Sequence, residues 1–184
     1  MKNRALSRPY KQVDVFTATP YLGNPLAVVL EGEGLSDAEM AAFARWTNLS
    51  ETTFLLTPTQ PSADYRVRIF TPSAELAFAG HPTLGSCHAW LEAGGKPKAS
   101  EIIQECKVGL VRVKQNTRGL AFAAPPLKRS TPSESQLTRI TAALGIQSSQ
   151  ITASQLLDNG SNWCGLLLDS VDTVLEINAN YIEI

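Results

Sequence analysis

Residues 82–93, PTLGSCHAWLEA, have helix-forming spacing but carry apolar side chains on most sides: Leu84, Cys87, Ala89, Trp90, Leu91 and Ala93. A helix of that kind is buried all round rather than on one stripe. It therefore needs a wall of other elements wrapped about it. The rest of the chain supplies strands. YKQVDVFT (10–17), PLAVVLEG (25–32), ETTFLLT (51–57), ADYRVRIFT (63–71), EIIQEC (101–106), LVRVKQ (110–115) and GLAFAA (119–124) all have strand-like composition between turn residues. In 63–71, Tyr65, Val67 and Ile69 alternate with Arg66 and Arg68, the period-two pattern of a half-buried sheet. The fold class expected is α+β, a central helix wrapped by a curved, mostly antiparallel sheet. No GxGxxG or GxxxxGK[ST] stretch is present, so a βαβ nucleotide fold is not expected.

Two further helices announce themselves by their caps. Ser36 with Glu39, and Ser133 with Gln136, are capping boxes. The first opens a helix whose Met40, Phe43, Ala44 and Trp46 form a buried stripe. The second runs to Leu144 and is closed by Gly145. Pro125-Pro126 and the following KRSTP read as a linker. Strands at QITASQLL and WCGLLLD and a short helical piece from Ser170 complete the pattern.

Sixteen basic and seventeen acidic residues in 184, with no long basic run, argue against nucleic acid or an anionic membrane as partner. No apolar run is long enough to span a bilayer, and the N-terminus lacks the apolar core of a secretory signal. Cys87, Cys106 and Cys164 are widely spaced with no CxxC pair, which fits a reduced, cytoplasmic setting. None has a histidine at a recognisable local spacing, so a thiol nucleophile is not expected.

The candidate chemistry sits at the start of the apolar helix and just before the third strand. His81 alone reads as a polar surface residue. Its neighbours supply the alternative: Gly80 would let a ligand approach the backbone, and Pro82 fits a first helical turn. The free amides of that turn favour an anion such as a carboxylate. His88 lies two turns on, about 10 Å away, too far to share a metal ion, and reads as structural. Glu51, in NLSETTF, reads either as a solvated turn residue or as a half-buried acid beside Phe54 and Trp46. In the second case desolvation would raise its pKa and suit it to take and return a proton. Glu75 is the rival acid, read as solvated or held by a local backbone hydrogen bond in its turn, and Asp14 as facing solvent or a neighbouring strand.

Together, DVFTATPYLGNPLAVV, LSETTF, RIFTPSAELAFAGHPTLG and NGSNWCGLLLD resemble the phenazine-biosynthesis PhzF-like isomerase family, from about residue 12 onward. The resemblance implies the diaminopimelate-epimerase fold, two similar domains each with a sheet-wrapped central helix and the active site in the cleft between them. It divides this chain into 1–117 and 118–184. It implies a proton-transferring isomerase that uses neither cofactor nor metal. Glu51 corresponds to the family's proton-shuttling glutamate, and Gly80 and His81 to residues that hold a small carboxylate-bearing substrate. Ala79 stands where related epimerases carry a catalytic cysteine, so thiol-based racemisation is not implied. A homodimer is.

An Asp-Pro-x-Thr-Gly-Ser-type motif, which completes the family's second domain, has no counterpart here. Residues 118–184 are expected to form only the opening part of that domain, as a fragment, a truncated product or a site that another chain completes. The alternative to an enzyme is a non-catalytic small-acid-binding or subunit-pairing module of the same fold.

Overall fold

A computed structural model describes residues 7–124, 126–159 and 162–180. Pro125 of the expected linker, Gly160 and Ser161 of the NGSNW stretch, and both chain ends lie outside them. Two compact units divide after Ala123.

The first unit contains β1 (Tyr10–Val15), β2 (Asn24–Val29), α1 (Asp37–Thr47), β3 (Thr52–Leu56), β4 (Tyr65–Phe70), β5 (Glu75–Leu76), α2 (Gly80–Glu92), β6 (Ile102–Cys106), β7 (Gly109–Asn116) and β8 (Gly119–Phe122). Its sheet runs β1-β2-β3-β4-β6-β7-β8, with β5 pairing to β4. The β2–β3 and β4–β6 pairings are parallel and the others antiparallel. The sheet curls round α2, which touches β1, β2, β3, β6 and β8. This is the α+β arrangement of a buried helix inside a curved, mostly antiparallel sheet. Since β8 is hydrogen-bonded to β7, the unit extends past the 117/118 division drawn from the sequence.

Alternation decides what faces α2. Val13 and Val15 of β1, Leu26 and Val28 of β2, Leu55 of β3, and Tyr65, Val67 and Ile69 of β4 pack with Phe78, Cys87 and Ala89 on the inner face. Residues of opposite parity, Val29, Phe54, Leu56 and Phe70, pack outward on Met40 and Ala44 of α1. Strand β3 is covered on both faces and is buried throughout. Gly85 allows the close approach of α2, because a Cβ there would lie 2.6 Å from Leu26 and 2.9 Å from Val15.

Both capping boxes form as expected. One expected core residue is misplaced: Trp46 is 80% exposed. It stands about 120° round α1 from Met40, off the Met40–Ala44–Thr47 face that meets the sheet, and rests on Phe43, with ring centroids 5.7 Å apart.

The second unit contains β9 (Lys128–Ser130), α3 (Glu134–Leu144), a 3-10 turn (Ser148–Gln150), β10 (Ile151–Asp158), β11 (Asn162–Leu168) and α4 (Val171–Leu175). Its sheet is antiparallel in the order β11-β10-β9. β9 lies in the stretch read as linker. All three of its residues are exposed and polar, so nothing in their hydropathy marks a strand.

Candidate functional site

Glu51 stands one residue before β3 and shares the parity of Thr53 and Leu55, which points it to the α2 side of the sheet. The register is fixed from both faces. Thr52 Oγ1 lies 2.8 Å from Thr47 Oγ1 at the end of α1, and Ser86 Oγ of α2 donates to Thr53 Oγ1 at 2.9 Å. The fully buried Thr53–Ser86 pair thus ties the strand that carries Glu51 to the helix that carries His81.

At the other side of the site, α2 begins without a side-chain cap on Ala79. The amides of Gly80 and His81 occupy the first two helical positions, and Pro82, the third, has none. The Thr83 amide is the first to close a turn, on Ala79 O at 3.2 Å. The proline thus stands later in the first turn than a first-position proline would, at a site that still needs no N–H. Two amides and the positive end of the helix dipole face outward beside His81.

His81 Nδ1 lies 3.1 Å from Glu51 Oε2, with the two side chains 6% and 16% exposed. The approach is close but not aligned as a hydrogen bond, so Glu51 Oε2 remains a buried oxygen with no well-formed partner. His81 Nε2 is likewise buried and unpartnered. Two of the three such atoms among the described residues therefore belong to this one pair, the third being Arg66 Nε. Buried polar atoms are nearly always satisfied in folded proteins, and exceptions cluster where a ligand or a reaction uses them.

Burial is the strongest single influence on the Glu51 carboxyl and pushes its pKa up. Contacts with His81 and Ser50 and the charge of the nearby imidazole together outweigh it, so the pKa lies below the usual glutamate value. This corrects the expectation of a raised value. The aromatic environment assumed for it is incomplete: Phe54 is buried on the opposite face of β3 and Trp46 is in solvent.

Gly80 is required for a reason the sequence did not show. A Cβ there would come within 3.0 Å of the Phe122 ring, so the missing side chain makes room for β8. Glu75 departs from its expected reading as solvated or bonded to local backbone. Glu75 is held by Arg68, Nε to Oε1 at 2.8 Å and Nη2 to Oε2 at 2.9 Å. His88 is more than half exposed and pairs with Glu92 at 3.2 Å. Asp14 accepts from the Gly23 amide at 3.3 Å. Cys87 and Cys106 are buried and Cys164 is partly so, with both buried thiols pushed up in pKa by burial. No group of three metal-ligating side chains occurs among the described residues.

Sequence reasoning missed Phe16, whose ring lies beside His81 with centroids 6.3 Å apart. Cavities of about 700 Å³ over α3 and β9–β11, and of about 740 Å³ between β1 and α1, contain neither Glu51 nor His81. Their walls hold none of the unpartnered buried atoms, and the Glu51–His81 pair is the candidate site on that ground.

Residues 13–184 match the family model described as phenazine biosynthesis-like protein, PhzC-PhzF. Antisense-enhancing sequence 1 of Schizosaccharomyces pombe is 45% identical over 177 residues, 91% of this chain and 60% of that protein. The trans-2,3-dihydro-3-hydroxyanthranilate isomerase of Pseudomonas aeruginosa is 33% identical over 175 residues, 94% of this chain and 61% of that enzyme. A solved structure described as a predicted epimerase, also from Pseudomonas aeruginosa, superposes with a TM-score of 0.80 at 26% identity. It covers 95% of this chain and 64% of that one. The chain spans about three fifths of the length of the curated relatives named here. Its fold is diaminopimelate-epimerase-like.

Proposed function

The chain belongs to the PhzC-PhzF family of phenazine biosynthesis-like proteins, and from that premise we propose that its Glu51–His81 site is the proton-transfer centre of a cofactor-independent isomerase. The substrate is a small carboxylate-bearing molecule. Its carboxylate sits on the outward amides of Gly80 and His81, and the imidazole orients it. Glu51 removes a proton from one substrate carbon, holds it as a carboxylic acid and returns it to another. A pKa below the usual glutamate value means that Glu51 enters the reaction already ionised at neutral pH. It also means that the captured proton is weakly held, which favours its return.

One observation carries this reading: a carboxylate and an imidazole, drawn from separate elements, meet at 3.1 Å with one buried unpartnered atom each. A relative's reaction supplies the probe. Trans-2,3-dihydro-3-hydroxyanthranilate in D2O, followed by NMR, should gain deuterium at carbon in the presence of the protein and not with Glu51→Gln. Exchange that persists in Glu51→Gln removes Glu51 from the mechanism.

A second reading, a small-acid-binding or subunit-pairing module without turnover, is favoured by the second unit. Trp163, Leu167, Val174 and Leu175 are 62%, 60%, 53% and 77% exposed there, large apolar side chains that a covering partner would remove from water. A homodimer or another polypeptide that covers this surface belongs to either reading. Binding of the acid with no deuterium incorporation would select the module. Cytoplasmic placement belongs to the proposal as well; among the described residues no helix is long and apolar enough to cross a membrane.

A further inference from the structure

Phe16 follows β1 directly and has φ +69°, the left-handed region that bulky L-residues avoid. The loop around it is built to hold that conformation. Gly23, where the chain returns toward β2, passes so near β1 that a Cβ would lie 2.2 Å from Val15 O. Its amide donates to Asp14 Oδ2 at 3.3 Å. On the other side of Phe16, Thr17 Oγ1 both accepts from the Thr19 amide and donates to the Thr19 carbonyl, each at 2.9 Å.

Nothing in the core requires this arrangement. The Phe16 side chain is not part of either apolar cluster, and the residue is 71% exposed. What the backbone inversion achieves is placement. The ring stands beside the His81 imidazole, planes inclined at 49°, next to a side chain that is itself only 6% exposed and has an unpartnered Nε2. Strained residues held against such a group mark positions where function, not packing, sets the conformation. An apolar ring kept in water at that position gains by being covered.

We propose that Phe16 is a substrate-contacting residue that sets the specificity of the Glu51–His81 site, selecting acids that carry an apolar face next to the carboxylate. This rests on the reading of that site as a seat for a small acid. The amides of Gly80 and His81 hold the carboxylate, which any small acid offers. Phe16 reads what is attached to it.

The test uses benzoate and acetate as probes, titrated into the whole chain while the His81 imidazole resonances are followed by NMR. Wild-type protein should bind benzoate more tightly than acetate. Phe16→Ala should weaken benzoate about tenfold, as expected for loss of one aromatic contact, and change acetate less than twofold. Phe16→Leu should recover part of the preference. Phe16→Gly, which accommodates the left-handed backbone, should behave like Phe16→Ala and so separates loss of the ring from disturbance of the loop. A benzoate-to-acetate ratio unchanged by Phe16→Ala and Phe16→Gly overturns the proposal while leaving the acid seat in place. If neither acid moves the His81 resonances of the wild type, the acid seat itself falls, and Phe16 loses its role with it.

Discussion

His81 and Glu51 are held together by a contact neither of them makes: Ser86 Oγ donates to Thr53 Oγ1 at 2.9 Å, two residues beyond Glu51 and just over a turn after His81. The hydroxyl pair is fully buried, so strand β3 and helix α2 cannot slide without leaving polar groups unpaired. That constraint fixes the strand that carries the carboxylate against the helix that carries the imidazole.

The Glu51 carboxyl, held below the usual glutamate value, is a native-state acid that protonates later than its unfolded counterpart as pH falls. The unfolded chain therefore takes up the proton first, and acidification favours unfolding. The stabilisation is complete above roughly pH 5, the upper edge of ordinary glutamate titration, and is lost as pH drops through the folded value. Urea midpoints measured against pH should fall more steeply for wild type than for Glu51→Gln. Parallel curves for the two proteins would show that the pair adds no pH-dependent stability.

Glu75 separates a structural carboxylate from a reactive one. Arg68 holds it by two parallel hydrogen bonds and keeps its pKa low, while the guanidinium also lies over the Phe70 ring at 5.1 Å. Glu75→Gln should cost about 1 kcal/mol, since the pair is about a quarter exposed and partly screened. Asp37→Asn, at the exposed third corner, should change stability by less than about 0.5 kcal/mol. Deuterium exchange by Glu75→Gln should match wild type. A loss there equal to that of Glu51→Gln would make Glu75 the working acid.

What could be read in the sequence follows from how local each signal is. Capping boxes at Ser36 and Ser133, the alternation in β4 and the mostly apolar α2 are complete within a few residues, and each appears as read. β5 is only two residues long and exists because Glu75 and Leu76 turn back onto Phe70 and Ile69, a tertiary event with no local pattern. Trp46 falls outside the buried face, which Met40, Ala44 and Thr47 share, because a stripe drawn by apolarity admits a large ring that the helical phase turns away from the sheet. Glu51 and His81 could be nominated separately. Their meeting, and the direction in which it moves the carboxyl, depends on parity along β3 and the depth of α2 against it. Phe16 gave no signal because a bulky residue in the left-handed region is what sequence preference argues against.

Gly80→Ala tests whether β8 shapes the site. The added methyl would come within 3.0 Å of the Phe122 ring edge, tighter than an ordinary contact, and relief requires either the ring or the start of α2 to shift. A cost of about 1–2 kcal/mol is expected from such overpacking. Phe122→Leu should remove most of it, which a double-mutant cycle by chemical denaturation would read as a coupling of similar size. Additive effects of the two substitutions would mean that the methyl is accommodated elsewhere.

The core beneath the site contains a buried polar chain whose energetics have a definite sign. Tyr65 Oη donates to Gln104 Oε1 at 3.0 Å, and Gln104 Nε2 donates to Thr83 Oγ1 at 3.1 Å. Thr83 Oγ1 in turn donates to the Ala79 carbonyl at 2.9 Å. Tyr65, Gln104 and Thr83 are each at most 2% exposed, and burial pushes the Tyr65 phenol well above its ordinary pKa. The phenol therefore stays neutral and remains a donor. Gln104→Leu removes its acceptor, leaving the Cys87 sulfur as a poor substitute, and should cost about 2–3 kcal/mol. Adding Tyr65→Phe removes the stranded hydroxyl as well, so the double variant should be more stable than Gln104→Leu alone. Urea denaturation of the three proteins decides it: a double variant less stable than Gln104→Leu would show that the Tyr65 hydroxyl keeps a worthwhile partner without Gln104.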